Sequence, residues 1–352
     1  MRHRLPILTL AVSLALMAVP RAQDLVYTRF GEYLESLRVQ AGIPGLAAGI
    51  VGSNDLTWER PFGQQNVERS LQTRTDTPFH VDGLTQIVTA ALVLRCVEEG
   101  HVLLDDRIGQ YAPRDSNANA TIRQVLSHTS GTADSLSFSY QLDRLRSLSG
   151  VVDDGCWGET YRETAVNLLE RFGMVNSVPG SDVTTLSPPP NDISPSQLRR
   201  FADVLSGLAI PYSVDAQLRA SPSRYPTPAL TPATGLVSTV RDLARFDVAL
   251  KKGALLRAES IALAWTPPAG RNGQRLPHGL GWFVQSYNGE QVVWQFGLGD
   301  NASSSLIVML PGRGLTLILL ANSSGLSKGF NLAAGDVTAS PFARTFLGTF
   351  VR

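Results

Sequence analysis

The segment FHVDGLTQIVTA, Phe79 to Ala90, runs without a break into ALVLRCVEEGHVLLDD, which ends at Asp106. From Ile87 to Val97 almost every residue is apolar. No polar face is left for solvent, so the run reads as a buried helix. Gly100 ends it, as glycine commonly does past a helix carboxyl end, and LLDDRIGQYAP follows as a loop. At the front of the run, Gly83 and Gln86 stand three residues apart, nearly one helical turn, where two side chains share a face.

Outward from this segment the chain organises itself by period and by turn residues. LVYTRFGEYLESLRVQAG reads as a helix with Leu34, Leu37 and Val39 among its apolar positions. IPGLAAGIVGSNDLTWERPFGQQN alternates short apolar runs with turn residues, as an antiparallel hairpin does. TIRQVLSHTSG and the chain up to about Ala220 read as helices and loops. Within that region SDVTTLSPPPNDISPSQL, with four prolines, is an irregular loop, because proline lacks the N–H that regular elements use. TPATGLVSTVRDLARFDVALKKG restores a helix. GLGWFVQSYNG, QVVWQFG, SSSLIVMLPG and LTLILLANSS read as strands joined at turns such as Asn288-Gly289 and Pro311-Gly312, and SPFARTFLGTF as a final helix. Strands thus bracket a helical middle. The pattern predicts one α/β unit over residues 23–352, an antiparallel sheet flanked by helices, with a mostly helical inserted region at roughly 83–220.

The chain has 352 residues, 43% of them hydrophobic and 17% charged, with a formal net charge of +1. That composition suits an ordered globular protein and gives no electrostatic case for nucleic acid or an anionic membrane surface. Residues 1–22, MRHRLPILTLAVSLALMAVPRA, carry Arg2 and Arg4 ahead of an apolar run from Ile7 to Val19. This reads as a secretory signal peptide cut after Ala22, which places the protein in the periplasm or outside the cell, without stable membrane insertion. In such an oxidising compartment a Cys96–Cys156 disulfide is chemically allowed. Cys96, in an apolar helix, reads instead as a buried thiol. The five histidines are scattered without metal-ligand spacing, so neither metal nor cofactor is expected.

Five segments together resemble the serine β-lactamase and penicillin-binding-protein superfamily, in the branch of class C β-lactamases, DD-peptidases and related esterases. They are LVLRCVEEGHVLLDDRIGQYAP, VLSHTSG (Val125–Gly131, identical to a family segment), TGLVSTVRDLARF, HGLGWFV and LPGRGLTLILLANSS. They occur in the family's order from about residue 25 to the end. The resemblance implies a β-lactamase-like fold and an acyl-transfer site made of three motifs.

At the positions of those motifs the residues differ. The family's S-x-x-K places a lysine amine beside a serine hydroxyl that is a poor nucleophile without it. Here the matching residues are Gly83 and Gln86, and none of the three lysines, Lys251, Lys252 and Lys328, has a serine three residues before it. The family's Y-x-N motif follows Pro179-Gly180. Counting forward gives Thr185-Leu186-Ser187 and counting back from Ser206-Gly207 gives Pro190-Asn191-Asp192, neither with a tyrosine. The family's K-T-G strand motif matches Gln295-Phe296-Gly297, which keeps the glycine and loses the cation. Groups that act as a unit are not lost singly without large effect, so no intact catalytic residues are expected. A backbone donor does not depend on its side chain, which leaves the Gly83 N–H as a group for a carbonyl or carboxylate.

Other residues near these motifs carry weaker signals. His80 and Asp82 flank the degenerate motif as pocket neighbours, and Asp82 and Asp192 could contact a cation or a ligand amine. His128 reads as a loop-packing histidine. Ser127, Ser130, Ser187 and Thr85 are candidate substitute nucleophiles without a base at a defined spacing. Ser327 sits in GLSKG, which matches the letters G-x-S-x-G but has no histidine after it. Trp282, Phe283, Trp294 and Phe296 read as strand packing. The leading expectation is an exported, inactive family member that binds a small acyl or cell-wall peptide ligand or a protein partner. The alternatives are a hydrolase with a non-standard nucleophile in the same cleft, and a non-catalytic scaffold.

Overall fold

The computed structural model describes residues 18–131, 137–187, 190 and 193–351. In chain order the early strands are β1 (Gly45–Val51), β2 (Leu56–Asn66), β3 (Leu71–Gln72) and β4 (Phe79–His80). Then come β5 (Val178–Pro179), β6 (Tyr212–Val214), β7 (Ala220–Pro222) and β8 (Leu236–Ser238). The last are β9 (Phe283–Tyr287), β10 (Glu290–Gly299), β11 (Ser303–Leu310) and β12 (Leu315–Ala321). The helices are α1 (Ala18–Gln40), α2 (Thr85–Glu98), α3 (Ile122–Leu126), α4 (Leu148–Gly155) and α5 (Tyr161–Arg171). They continue with α6 (Pro195–Ser206), α7 (Val240–Lys251), α8 (Ala258–Ala264) and α9 (Pro341–Phe350).

Seven strands form one sheet in the order β3-β2-β1-β12-β11-β10-β9, antiparallel throughout. The first and last strands of the chain meet at its centre, Ala48 opposite Leu319, so the helical segment between them is an insertion closed by the sheet. Alternation along each central strand divides the core in two. Leu46, Ala48, Ile50, Leu317, Leu319, Leu306 and Val308 pack with Phe30 and Leu34 of α1 and Phe342 and Phe346 of α9. Ala47, Val51, Ile318, Leu320, Ile307 and Met309 pack on the other side with Ile87 and Val93 of α2 and Leu243 and Phe246 of α7. At Gly49 on β1 a side chain cannot fit, because a Cβ there would run into Val240 Cγ1 at the start of α7.

The expected helix from Phe79 begins later. Phe79 and His80 pair with β8, in a three-stranded sheet of order β4-β8-β5. Asp82 takes a left-handed φ of 47°, which a right-handed helix cannot accommodate. A short 3-10 turn, Asp82–Leu84, then leads into α2 at Thr85. The Thr85 hydroxyl donates to the Asp82 carbonyl and accepts from the Leu236 amide, fastening the helix start to β8. Residues Thr85 to Leu94 and Cys96 are buried.

Cys96 is not the buried free thiol expected from its helix. It forms a disulfide with Cys156, Cα to Cα 5.6 Å, across a separation of 60 residues. The pairing arises because α4 crosses the carboxyl end of α2 and delivers Cys156 at its own terminus. The expected signal segment lies outside the described residues up to 17, and α1 continues through residue 22. Among the described residues no helix is long and apolar enough to cross a membrane.

Candidate functional site

Strand β9 pairs with β10 only as far as Phe283 opposite Trp294. Beyond that point Gln295 to Gly299 lose their neighbour on one side, and the turn before α2 packs there. A Cβ built on Gly83 would lie 2.7 Å from the Phe296 carbonyl oxygen, 3.4 Å from Gly297 Cα and 3.5 Å from the Tyr140 hydroxyl. Gly83, Gln86, Gln295, Phe296 and Gly297, scattered over more than 200 residues of sequence, are thus brought to one place.

That place is filled by the chain itself. The Gln86 amide donates from Nε2 to the Tyr140 hydroxyl, 2.7 Å, and the hydroxyl donates on to Gln295 Oε1, 3.4 Å. Gln295 Oε1 also accepts from the Phe296 amide, 2.9 Å. Its Nε2 donates to the Gly281 carbonyl, 3.1 Å, and to His278 Nε2, 3.2 Å. On the far side of Gln86, His128 Nε2 donates to its Oε1, 3.1 Å. The Tyr140 ring lies against Phe296, centroids 5.3 Å apart.

The network assigns both tautomers. His128 Nδ1 accepts from the Gln141 amide, so its proton sits on Nε2. His278 Nδ1 faces the Gly279 carbonyl at 2.8 Å and must donate, which leaves Nε2 as the acceptor. Hydrogen bonds therefore run in one direction from His128 through Gln86, Tyr140, Gln295 and His278 to a backbone carbonyl. Every member is neutral. Burial pulls the His278 imidazole down to about 3. Burial, and then the neighbouring His278, hold His128 well below the ordinary histidine range. Burial also pushes the Tyr140 phenol far up. Removing water disfavours the charged form of each group.

Such an arrangement has little reactivity. Each histidine lone pair is already accepting a hydrogen bond, the phenol stays protonated, and a carboxamide neither attacks nor takes a proton near neutral pH. The atoms facing Gly83 include an acceptor carbonyl, which repels rather than binds the carbonyl oxygen of a ligand. None of five surface clefts, of 200 to 580 Å3, is lined by Gly83, Gln86, Gln295 or Phe296.

The other expected residues fall elsewhere. His80 and Asp82 are buried behind the turn, His80 Nδ1 bonded to Asp82 Oδ1 at 3.1 Å and its ring stacked on Tyr225 at 4.9 Å. Asp82 also accepts from the Ser303 hydroxyl, 2.7 Å. Its carboxylate fits because Gly299 has no side chain; a Cβ there would lie 2.6 Å from Asp82 Oδ1. Asp82 is therefore an internal tie and not a group offered to a ligand amine. Asp192 and Asn191 lie outside the described residues. Thr185 and Ser187 are exposed, and the Thr185 hydroxyl is turned back on Asp182. The hydroxyls of Ser127 and Thr85 donate to backbone carbonyls within their own helical turns, and Ser327 donates to the Gly297 carbonyl, 2.9 Å.

His128 does more than pack a loop, since it holds Gln86 in place. Tyr140 and Phe138, which line the network, carry no motif or periodicity in the sequence. A three-residue alternation, Phe138-Ser139-Tyr140, is the only mark they leave.

The sheet, the buried helix at its edge and the meeting of Gly83 and Gln86 with Gln295–Gly297 define the β-lactamase and penicillin-binding-protein fold. The model of the Beta-lactamase family matches residues 27–170 and 179–338, and the chain belongs to that family. Penicillin-binding protein 4 of Amycolatopsis lactamdurans is 30% identical over 113 residues, 30% of this chain and 29% of that protein. The chain thus matches less than a third of that relative's length. Among solved structures, the octameric penicillin-binding protein homologue from Pyrococcus abyssi superposes with a TM-score of 0.72 at 19% identity, covering 92% of this chain and 77% of that one. The class C β-lactamase from Rhodobacter sphaeroides does so with a TM-score of 0.63 at 16% identity, covering 84% and 94%. At these identities the superpositions speak for the fold.

Proposed function

We propose that this chain is an exported member of the β-lactamase family that does not perform acyl transfer and acts by binding, to a small acyl or cell-wall peptide ligand or to a protein partner. The observation that carries the reading is the Tyr140 hydroxyl seated between Gln86 and Gln295. Where the family's reaction needs a nucleophile, a base and a cation, this chain has a closed chain of neutral hydrogen bonds. Export draws support from the apolar run after Arg4 and from the Cys96–Cys156 disulfide, since such bonds persist in oxidising compartments. A ligand reaching Gly83 must displace the Tyr140 phenol, so a partner surface away from this point is the simpler route to binding.

The test is hydrolysis of a chromogenic cephalosporin and a short-chain nitrophenyl ester by the purified chain, beside Tyr140→Phe and Ser130→Ala variants. No turnover by any of them is expected. Turnover by the unaltered chain that disappears in one of the variants would overturn the proposal and identify a hydrolase with a non-standard nucleophile.

A further inference from the structure

A cleft of 200 Å3 lies between α2 and α5, beside the disulfide, and no motif position lines it. Four of its lining residues, Thr164, Asn167, Leu168 and Arg171, recur at i, i+3, i+4 and i+7 on α5 and so form one stripe of that helix. Leu92 of α2 and the indole of Trp157 complete an apolar wall. Trp157 is held firmly: its Nε1 donates to Glu99 Oε2, 2.6 Å, and Glu99 is fixed in turn by Arg95, 2.9 Å. That Arg95 contact, with the Trp157 bond behind it, keeps the Glu99 carboxylate below its usual range.

Besides Arg95, two opposite charges line the same cleft, and among the described residues neither belongs to an ion pair. Among the described residues Arg171 makes no ion pair, its guanidinium resting 5.7 Å over the adjacent Phe172 ring. Glu159 has no cationic partner either. It is positioned by the Asn167 side chain, which donates to Glu159 Oε2 at 2.9 Å. Asn167 and Arg171 are one helical turn apart, about 5–6 Å between Cβ atoms. The residue that holds Glu159 thus stands one turn along α5 from Arg171, and no ion pair joins the two charges. The Thr164 hydroxyl, in a residue only 5% exposed, is buried and has no hydrogen-bond partner. Buried polar groups without partners are uncommon and call for an explanation.

We propose that this cleft binds a free α-amino acid with a short apolar side chain. The ligand carboxylate would take the Arg171 guanidinium, its ammonium the Glu159 carboxylate, and its side chain the Trp157 and Leu92 wall. A cleft of 200 Å3 suits a small molecule, and two unpaired charges of opposite sign suit one that carries both. The proposal does not depend on whether the Gly83 region reacts.

Isothermal titration calorimetry on the full chain tests it, with L-alanine and D-alanine as probes and with acetate and ethylamine as half-ligands. At least one alanine is expected to bind saturably, about tenfold or more tighter than either half-ligand. Arg171→Gln and Glu159→Gln should each weaken binding by about tenfold or more while leaving the melting temperature unchanged. Absence of saturable binding, equal binding by acetate alone, or unaltered binding by both variants would overturn it. A melting temperature lowered equally by either variant, without alanine binding, would also overturn it, by showing that the two charges serve only each other.

Discussion

The two ends of helix α2 solve the same problem, anchoring a buried helix, with different chemistry. At the amino end Gln86 is wholly buried and is tied by neutral hydrogen bonds to Tyr140 and His128. At the carboxyl end the ties are a disulfide from Cys96 and the Trp157 indole on Glu99, whose ion pair with Arg95 solvent reaches. The difference follows from water. A charge buried without a close partner is disfavoured by several kcal/mol, whereas a partly exposed pair keeps most of its hydration. The amino end of this helix is where the family's reaction needs charge, and here the interior has been completed with carboxamides instead.

The comparison can be broken first at the covalent end. The disulfide closes a loop of 60 residues, for which chain entropy gives a stabilisation of about 4 kcal/mol. A Cys96→Ala/Cys156→Ala double variant is expected to unfold at markedly lower urea concentration than the unaltered chain, with a steeper transition, because the unfolded chain without the cross-link exposes more surface. Reduction of the unaltered chain should have the same effect. A shift below about 1 kcal/mol would mean that α2 is held by its packing alone and that the disulfide constrains the unfolded chain less than its loop length implies.

At the polar end, restoring the family's residues should fail. Gly83→Ser places a Cβ 2.7 Å from the Phe296 carbonyl oxygen, closer than real Cβ atoms come, so β10 or the turn must move. Gln86→Lys puts an ammonium beside His128 and Tyr140, where no carboxylate is hydrogen-bonded to either. Together they should destabilise the protein by about 3 kcal/mol or more, without conferring hydrolysis of a nitrophenyl ester. Urea unfolding and the ester assay on the same preparation check both parts. Stability unchanged by the pair would show that the site adapts to charge, and that the neutral network is not needed to fill it.

How much of this was legible follows from range. The central strands read directly, because they are short apolar runs bounded by turn residues; which face each residue takes, Leu317, Leu319 and Ala321 on one side and Ile318 and Leu320 on the other, appears only in the fold. The positions Gly83, Gln86 and Gln295 to Gly297 could be placed by resemblance, since the segments around them keep their order. Tyr140 could not be found that way. Its function consists of contacts to residues 54 and 155 positions away, and nothing in the letters around it records them. Asp82 departs from its expected role for a similar reason: its burial depends on the missing side chain of Gly299, on a strand that meets it only after folding. Two cysteines 60 apart likewise say nothing about whether their helices cross.

The smallest expected effect sharpens the comparison instead of breaking it, because it reads the neutrality of the network directly. His278 is held at about 3 in the folded chain, chiefly by burial, against an ordinary value of 6.5. The unfolded state therefore binds the extra proton first. The stabilisation from keeping this group neutral is complete above pH 6.5 and is lost progressively as pH falls towards 3. By pH 5.5 this one group accounts for about 1.4 kcal/mol. His128, shifted in the same direction, adds to the same slope. In His278→Gln the side-chain carbonyl can still accept from Gln295, and the group no longer titrates. The variant should therefore lose less stability than the unaltered chain between pH 7 and pH 5.5, by about 1.4 kcal/mol, as read from urea midpoints at each pH. Parallel pH profiles for the two proteins would mean that His278 already carries a proton in the folded state. The one-way chain of hydrogen bonds from His128 would then have to be redrawn with a charge in it.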